Sequence, residues 1–112
     1  MKKTKLGEFE ELVLLTVAAL QQDAYGVEIK RELESRLKHR LSVGSIQSAL
    51  KRMEEKGFLT SRFGEATQKR GGKRKRIYST TSLARKVLEE MKEIRAGLWQ
   101  VIPVVAPQWK AI

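Results

Sequence analysis

The chain has 112 residues, of which 41% are hydrophobic, enough for one compact core and too few for two independent domains. Its 23 lysines and arginines outweigh 13 acidic residues, and the net charge of +10 indicates a polyanionic partner, either nucleic acid or an anionic membrane surface. The absence of cysteine excludes disulfides, thiolate catalysis and Cys-ligated zinc, and the single histidine, His39, cannot form a metal-binding cluster, so we expect no metal and no other cofactor.

The sequence shows no sign of membrane insertion or catalysis. No apolar run approaches the ~20 residues that span a bilayer, and acidic residues stand near the start where a signal peptide would be apolar. We therefore expect a cytoplasmic protein that is not inserted in a membrane. No set of His, Cys or carboxylate residues has a spacing that suggests a shared cleft, so we do not expect an enzyme.

Two helices are predicted in the first third of the chain. Residues 8–20 combine glutamates in the first turn with a wide apolar face that includes Phe9, which predicts a central helix packed by other elements or by a second subunit. Residues 25–38 form the second helix, with Asp23 as its expected cap. Its buried stripe consists of Ile29, Leu33 and Leu37.

Three residues are expected to pack within the fold rather than to bind a ligand. Tyr25 and Tyr78 are predicted to lie in the core or to be held by hydrogen bonds. Gly26 is predicted at a position of close packing, because nothing around it resembles a phosphate-binding loop.

The third predicted helix, residues 43–56, has the best-defined ends, with Ser42 as its N-cap and Gly57 closing the far end. A helical wheel places apolar residues on one side, namely Val43, Ile46, Leu50 and Met53. The opposite side carries small and cationic residues, namely Gly44, Ser45, Ser48, Lys51 and Arg52. Small residues allow close approach to a surface, and the helix amides and cations favour phosphate, so this pattern is typical of a helix that reads DNA.

A β-hairpin is predicted next, with strands at residues 58–63 and 76–81. The connection contains three glycines and leads into a dense group of cations, Lys69, Arg70, Lys73, Arg74, Lys75 and Arg76. So many charges in so short a segment favour nucleic-acid binding over a role in solubility.

The last predicted helix covers residues 82–102, with Thr81 as its N-cap and Pro103 ending it. It has more apolar positions than a terminal helix needs in so small a domain, which predicts a two-fold homodimer. With Phe9, the predicted interface consists of Leu83, Val87, Met91, Ile94, Leu98, Trp99 and Ile102.

The order of these elements resembles the PadR family of bacterial transcriptional regulators over about residues 6–102. The resemblance rests on the stretches LLTVAAL, AYGVEIKREL, SVGSIQSALKRMEEKGFLTS and RGGKRKRIYSTT. It implies a winged helix-turn-helix homodimer, usually a repressor, that docks the third helix in the major groove of a palindromic operator and lays its wing on the DNA backbone. It also implies that the last helix dimerises, and that members with a short C-terminal helix sometimes bind an aromatic or drug-like inducer at the dimer centre.

Two positions depart from the family pattern. Gln47 stands where the family commonly has a tyrosine, and residues 81–84, Thr-Ser-Leu-Ala, replace a start resembling Thr-Pro-Glu-Gly. The first departure bears on base contacts, and the second bears on the angle of the last helix.

We therefore expect a mainly α fold with a small β-hairpin wing (α+β). Residues 1–81 would form the winged helix-turn-helix, residues 82–103 the dimerisation helix and residues 104–112 a tail. The expected partners are double-stranded DNA and a second copy of the chain. The residues expected to contact DNA are Ser42, Gly44, Ser45, Gln47, Ser48, Lys51, Arg52, Lys69, Arg70, Lys73, Arg74, Lys75 and Arg76.

Several alternatives stay open. Gln47 could read adenine or bond to the DNA backbone. Met91 and Trp99 could bind a small aromatic inducer, although a tryptophan on a dimer helix more often packs in the interface. A winged-helix module that binds a protein instead of an operator should expose an apolar or acidic face on its third helix, which this sequence does not predict.

Overall fold

The computed structural model describes residues 6–64 and 74–103, which form four α-helices and one antiparallel hairpin. The helices are α1 (Glu8–Leu20), α2 (Gly26–Leu37), α3 (Val43–Glu55) and α4 (Ser82–Val101). The strands are β1 (Leu59–Phe63) and β2 (Arg76–Thr80), which stand between α3 and α4 in the chain. Every predicted element is confirmed with its ends displaced by no more than one residue, and so is the mainly helical α+β fold.

Helix α1 lies at the centre of the molecule and packs against α2, α3, α4 and β2. Val13, Leu14 and Val17 are buried on it, and they join the core residues that α2 and α3 contribute. The prediction of a central first helix is confirmed. Phe9 and Leu12 at the edge of α1 are only partly buried against this core.

The start of α2 differs from the prediction. A short 3₁₀ turn, Gln21–Asp23, follows α1, and the N-cap of α2 is Tyr25 with no side-chain hydrogen bond. The expectation that Asp23 caps α2 is therefore wrong. The reason is tertiary: Tyr78 donates its backbone N–H to the carbonyl of Ala24 at 2.8 Å, and Tyr25, whose backbone is extended, forms an isolated bridge with Ile77, so the helix does not begin before Gly26.

Helix α3 begins as predicted and ends one residue earlier, at Glu55, but its first residue is not buried. Ser42 Oγ accepts the N–H of Ser45 at 3.0 Å, and Gly57 closes the far end with a φ of +85°, which suits glycine. Val43, expected on the apolar side, is 61% exposed. At 100° per residue it lies about 20° outside the buried arc, and in the first turn it has helix on only one side.

The hairpin is attached to the core along its length. Its register runs from Leu59 opposite Thr80 to Phe63 opposite Arg76. Tyr78 of β2 is buried in the core, as predicted, while Phe58 just before β1 is fully buried and donates its N–H to the carbonyl of Met53 at 2.8 Å. The hairpin therefore stands directly beside the C-terminal half of α3.

Helix α4 is attached to the rest of the chain mainly at its beginning. Thr81 is its N-cap, as predicted, and Ala84 and Leu88 are its buried residues. From Lys92 to Val101 the residues of α4 are exposed. Within the described ranges, no helix combines the length and the apolar character that crossing a membrane requires.

The Thr81 hydroxyl joins two structural elements, which predicts a measurable loss when it is removed. It accepts the N–H of Ala84 at 3.2 Å and donates to the carbonyl of Gly57 at 2.7 Å. We expect Thr81→Val to lower the free energy of unfolding by about 1–2 kcal/mol in urea titrations at fixed protein concentration. Thr81→Ser keeps the hydroxyl and should lose less than half of that, whereas equal losses in both variants would contradict the role assigned to the hydroxyl.

Candidate nucleic-acid interface

The outward face of α3 is the centre of the candidate site. Ile46, Ala49, Leu50 and Met53 turn into the core and leave the other side of the helix in solvent. Gly44, Ser48 and Lys51 are exposed on that side. A Cβ atom added to Gly44 would meet no atom within 4 Å, so nothing in the described part of the chain occupies the space in front of this turn.

The hydroxyls of the first turn of α3 are used by the helix itself. Ser42 Oγ caps the turn, and Ser45 Oγ donates to the carbonyl of Ser42 at 2.9 Å. Both residues were predicted to contact DNA and both are exposed. Their hydroxyls already have partners within the chain, and the next polar side chains along the helix are the exposed Gln47 and Ser48 of the second turn.

Gln47 lies on the flank of α3 that faces the hairpin. Its Nε2 atom is 3.1 Å from the position that a Cβ on Gly26 would occupy, so the absence of a side chain at Gly26 leaves room for the amide. This confirms the prediction of close packing at Gly26. Gln47 also lines two neighbouring clefts between α3 and the hairpin, of about 240 and 370 Å³.

Lys75 is held at the hairpin side of these clefts by an aromatic ring. Its Nζ lies 4.1 Å from the centroid of Tyr25, a cation–π contact that supports the ammonium without neutralising it. Arg74 beside it is exposed and lines the same cleft. Lys69, Arg70 and Lys73, which were also predicted to contact DNA, lie outside the described residues.

Arg76 belongs to a hydrogen-bond network that ties the hairpin to α3. Its Nε donates to Ser61 Oγ at 2.9 Å, its Nη2 lies 3.3 Å from Glu54 Oε1, and Ser61 donates to Glu54 Oε2 at 2.8 Å. Glu54 was not singled out from the sequence. The signal that could have revealed it is its position in the last turn of α3, where a helical wheel places it close to Gln47 and therefore on the side facing the hairpin.

Arg52 lies on the other flank of α3, about 140° around the helix from Gln47. Its Nε donates to Glu10 Oε2 of α1 at 2.9 Å, and Lys56 Nζ lies 3.6 Å from Glu10 Oε1. The structure thus groups Gln47, Ser48 and Lys51 and sets Arg52 apart in an ion pair with α1. Direct DNA contact by Arg52 stays a prediction.

Glu10 is the second functional residue that was missed. It is buried on α1, where it also accepts the backbone N–H of Gly7 at 3.1 Å. On a helical wheel Glu10 falls between Leu14 and Val17, and a carboxylate on an apolar face is the signal that could have revealed a buried ion pair.

The environment of Glu10 favours its charged form. Burial by itself raises the pKa of the carboxyl group, but the hydrogen bonds from Arg52 and Gly7, with the charges of Lys56 and Arg52, outweigh burial and hold the pKa below its ordinary value of 4.5. The charged carboxylate therefore stabilises the fold above that pH, and this contribution is lost as the pH falls through the lowered pKa.

Replacing Glu10 should have a pH-dependent effect on stability. We expect Glu10→Gln to reduce the free energy of unfolding by about 1–2 kcal/mol at pH 7, with the difference from wild type shrinking as the pH falls below about 4. Urea titrations across this range measure it. Glu8→Gln, an exposed change in the same helical turn, serves as the control for the helix dipole; a loss at Glu10 that is constant with pH would contradict the ion pair.

The apolar residues on the outer side of α4 form a second surface, the α4 stripe. It consists of Leu83, Val87, Met91, Ile94, Leu98 and Ile102, spaced by three or four residues, with Trp99 beside it. Val87 and Met91 are half-buried, whereas Ile94, Leu98 and Trp99 are 64%, 61% and 72% exposed. Phe9 is half-buried and packs against the core of its own chain.

A shallow groove runs between α1 and α4. It measures about 430 Å³, and its lining combines Leu15, Ala18 and Leu88 with charged side chains of both helices. Arg95 Nη2 donates to Glu11 Oε1 at 2.7 Å across it. Neither Met91 nor Trp99 lines this groove.

A three-helix unit followed by a hairpin, with an exposed face on the third helix and cations beside it, defines a winged helix-turn-helix protein. Residues 14–90 match the model of the transcriptional regulator PadR-like family. The chain belongs to this family, as its sequence motifs suggested. No protein among the curated sequences is similar enough to match the chain.

Solved structures with the same fold come from several bacteria. A PadR family transcription regulator from Clostridium difficile is 27% identical, with a TM-score of 0.63 over 85% of this chain and 94% of that one. A PadR-like transcriptional regulator from Bacillus cereus is 23% identical, with a TM-score of 0.67 over 82% and 84%. A PadR family transcriptional regulator from Eggerthella lenta is 24% identical, with a TM-score of 0.61 over 83% and 80%.

Proposed function

We propose that this protein is a sequence-specific regulator that binds double-stranded DNA as a homodimer on a palindromic operator and represses transcription by occluding it. The observation that carries the proposal is the outward face of α3, where Gly44, Ser48 and Lys51 are exposed beside the cationic base of the hairpin. Residues 1–81 would bind DNA and residues 82–103 would dimerise. We place the protein in the cytoplasm, with the DNA that it controls.

The shape of this face suits a DNA groove. The major groove is about 12 Å wide and admits a helix whose first turn carries small side chains. In a two-fold dimer, the two α3 helices would enter successive major grooves about 34 Å apart. Arg74 and Lys75 at the base of the hairpin would then lie along the flanking phosphates, and Lys69, Arg70 and Lys73 are proposed to bind phosphate as well.

Dimerisation is supported by the α4 stripe. Ile94, Leu98 and Trp99 expose large apolar surfaces on a part of α4 that makes little contact with the other elements of residues 6–64 and 74–103. A contiguous apolar stripe on an exposed helix favours burial against a copy of itself, because a two-fold axis brings identical stripes together. The proposed interface adds Phe9, Leu83, Val87, Met91 and Ile102.

An aromatic inducer has no comparable support. The α1–α4 groove is lined by residues other than Met91 and Trp99, and Trp99 is the more exposed of the two. The binding of a flat ligand by these two side chains stays a prediction, and no observation makes it a second candidate function.

Arg74 and Lys75 should contribute to affinity through phosphates. We expect the double variant Arg74→Ala/Lys75→Ala to bind a duplex selected from a random pool more weakly, with a less steep dependence of log affinity on log salt. A dimer of this variant would neutralise four fewer phosphates, and each phosphate contributes about 0.9 to the slope of log affinity against log salt. The slope should therefore be smaller in magnitude by about 3 to 4. Fluorescence anisotropy across a salt series measures this slope.

The matched control removes two cations elsewhere. Arg31 and Arg36 are exposed on α2, where they pair with Glu28 and Glu32. Arg31→Ala/Arg36→Ala should leave the slope close to that of wild type. If both double variants change the slope equally, only the net charge of the protein matters and the hairpin has no special role.

The α4 stripe should control both assembly and DNA binding. We expect Ile94→Glu/Leu98→Glu to give a folded monomer in analytical ultracentrifugation, because two carboxylates per chain would be buried in the interface. Its affinity for the selected duplex should fall by at least about a hundredfold, since each monomer reads only one half-site.

A second pair of glutamates serves as the control. Ala96→Glu/Gln100→Glu adds the same charge on the opposite, polar side of α4 and should leave the dimer intact. Dissociation of both variants, or tight DNA binding by the Ile94→Glu/Leu98→Glu monomer, would overturn the proposed dimer.

A further inference from the structure

Val43 is an apolar side chain in an unexpected place. It opens α3, is 61% exposed, and lies about 40° around the helix from Gln47, one turn ahead of it. A single exposed valine is common on protein surfaces and by itself implies nothing. Here, however, Val43 borders the face that is proposed to enter the major groove.

Around Val43, the polar side chains that stay available for contact in the first two turns of α3 are those of Gln47 and Ser48. Gly44 carries no side chain, and the hydroxyls of Ser42 and Ser45 bond within the turn. No acidic residue lies in the first turn of α3. The first two turns of α3 therefore present the two methyl groups of Val43, the carboxamide of Gln47 and, about 140° around the helix from Val43, the hydroxyl of Ser48, with Lys51 one turn beyond Gln47.

This combination matches one kind of base pair. In the major groove the thymine 5-methyl is the apolar group, and adenine presents an acceptor at N7 and a donor at N6. The carboxamide of glutamine has a donor and an acceptor in the same arrangement, and a valine methyl can pack on the thymine methyl. Neither group complements the edge of a G·C pair as well, since guanine presents two acceptors.

We infer that Val43 and Gln47 together read an A·T pair in each half-site, with Val43 packed on the thymine methyl and Gln47 bonded to adenine N6 and N7. This inference rests on the proposed function and assigns it a base class. It makes Val43 a specificity residue and decides the open choice for Gln47 in favour of adenine.

The test replaces thymine by uracil, which removes only the 5-methyl group. Duplexes are first selected from a random pool with the wild-type protein, and each thymine of the selected half-site is then changed singly. At one position of the half-site, the change from thymine to uracil should weaken binding by the wild-type protein about fourfold. This factor corresponds to the free energy of burying one methyl group. The Val43→Ala variant should bind the thymine and uracil duplexes equally.

The other valine of this region provides a matched control. Val27, the second residue of α2, is 53% exposed and lines a cleft with Gln47. Val27→Ala should keep the full uracil effect. Similarly, 7-deazaadenine, which lacks N7, should weaken binding by wild type but not by Gln47→Ala.

The outcomes separate this inference from the function on which it rests. A wild type that binds all duplexes equally, or none, overturns the proposed operator binding. A wild type that binds a selected duplex but is indifferent to uracil, or a Val43→Ala variant that still distinguishes uracil from thymine, overturns the inference alone. Abolition of the uracil effect by Val27→Ala while Val43→Ala retains it would assign the methyl contact to α2 instead.

Discussion

Ala24 and Tyr25, the two residues between the turn after α1 and the start of α2, position α3 and the hairpin relative to each other. Ala24 accepts the N–H of Tyr78, and Tyr25 bridges Ile77, so the hairpin is tied to the helix-turn-helix through backbone groups. The same pairing makes α2 begin at Gly26, and that glycine leaves room for Gln47. It also brings the Tyr25 ring under Lys75. The relative placement of α3 and the hairpin thus depends on a short stretch of main chain.

Two ion pairs on opposite sides of α3 then fix it to its neighbours. Glu10 of α1 pairs with Arg52 of α3, and Glu54 of α3 pairs with Arg76 of the hairpin and accepts a hydrogen bond from Ser61. A negative charge beside a surface that is proposed to bind DNA would oppose binding, and each of these carboxylates is offset by a guanidinium group. The arginines consequently contribute less to the field in front of α3 than their number suggests. Among the described residues, that field depends more on Lys51, Arg74 and Lys75.

The sequence predicted the elements well and the cross-contacts poorly, for physical reasons. Apolar periodicity, the caps at Ser42 and Thr81 and the glycine at position 57 are local signals, and the element ends follow them closely. Asp23 failed as a cap because pairing with β2, a distant strand, decides where α2 begins. The prediction that Val43 is buried was wrong because a helical wheel gives the direction of a side chain around the helix axis. It does not show how far the neighbouring elements extend along that axis.

The same limit applies to the candidate site. The exposure of Gly44, Ser48 and Lys51 followed from the wheel, whereas the pairing of Arg52 with Glu10 joins residues far apart in the chain. A count of cations cannot distinguish an arginine engaged within the fold from a lysine that stays available. Which of the predicted residues contact DNA is decided by the binding experiments and not by periodicity.

In the proposed dimer, the orientation of helix α4 would set the distance between the two protomers. Its 20 residues extend about 30 Å, and its first two turns are fixed by the Thr81 cap and by the burial of Ala84 and Leu88, while Arg95 pairs with Glu11 further along the helix. A tilt of about 10° about Leu88 moves Val101, about 20 Å away, by about 3.5 Å, as much as the roughly 3.4 Å rise of one DNA base pair. In the proposed dimer, small changes at the base of α4 therefore set the separation of half-sites that the two α3 helices can span.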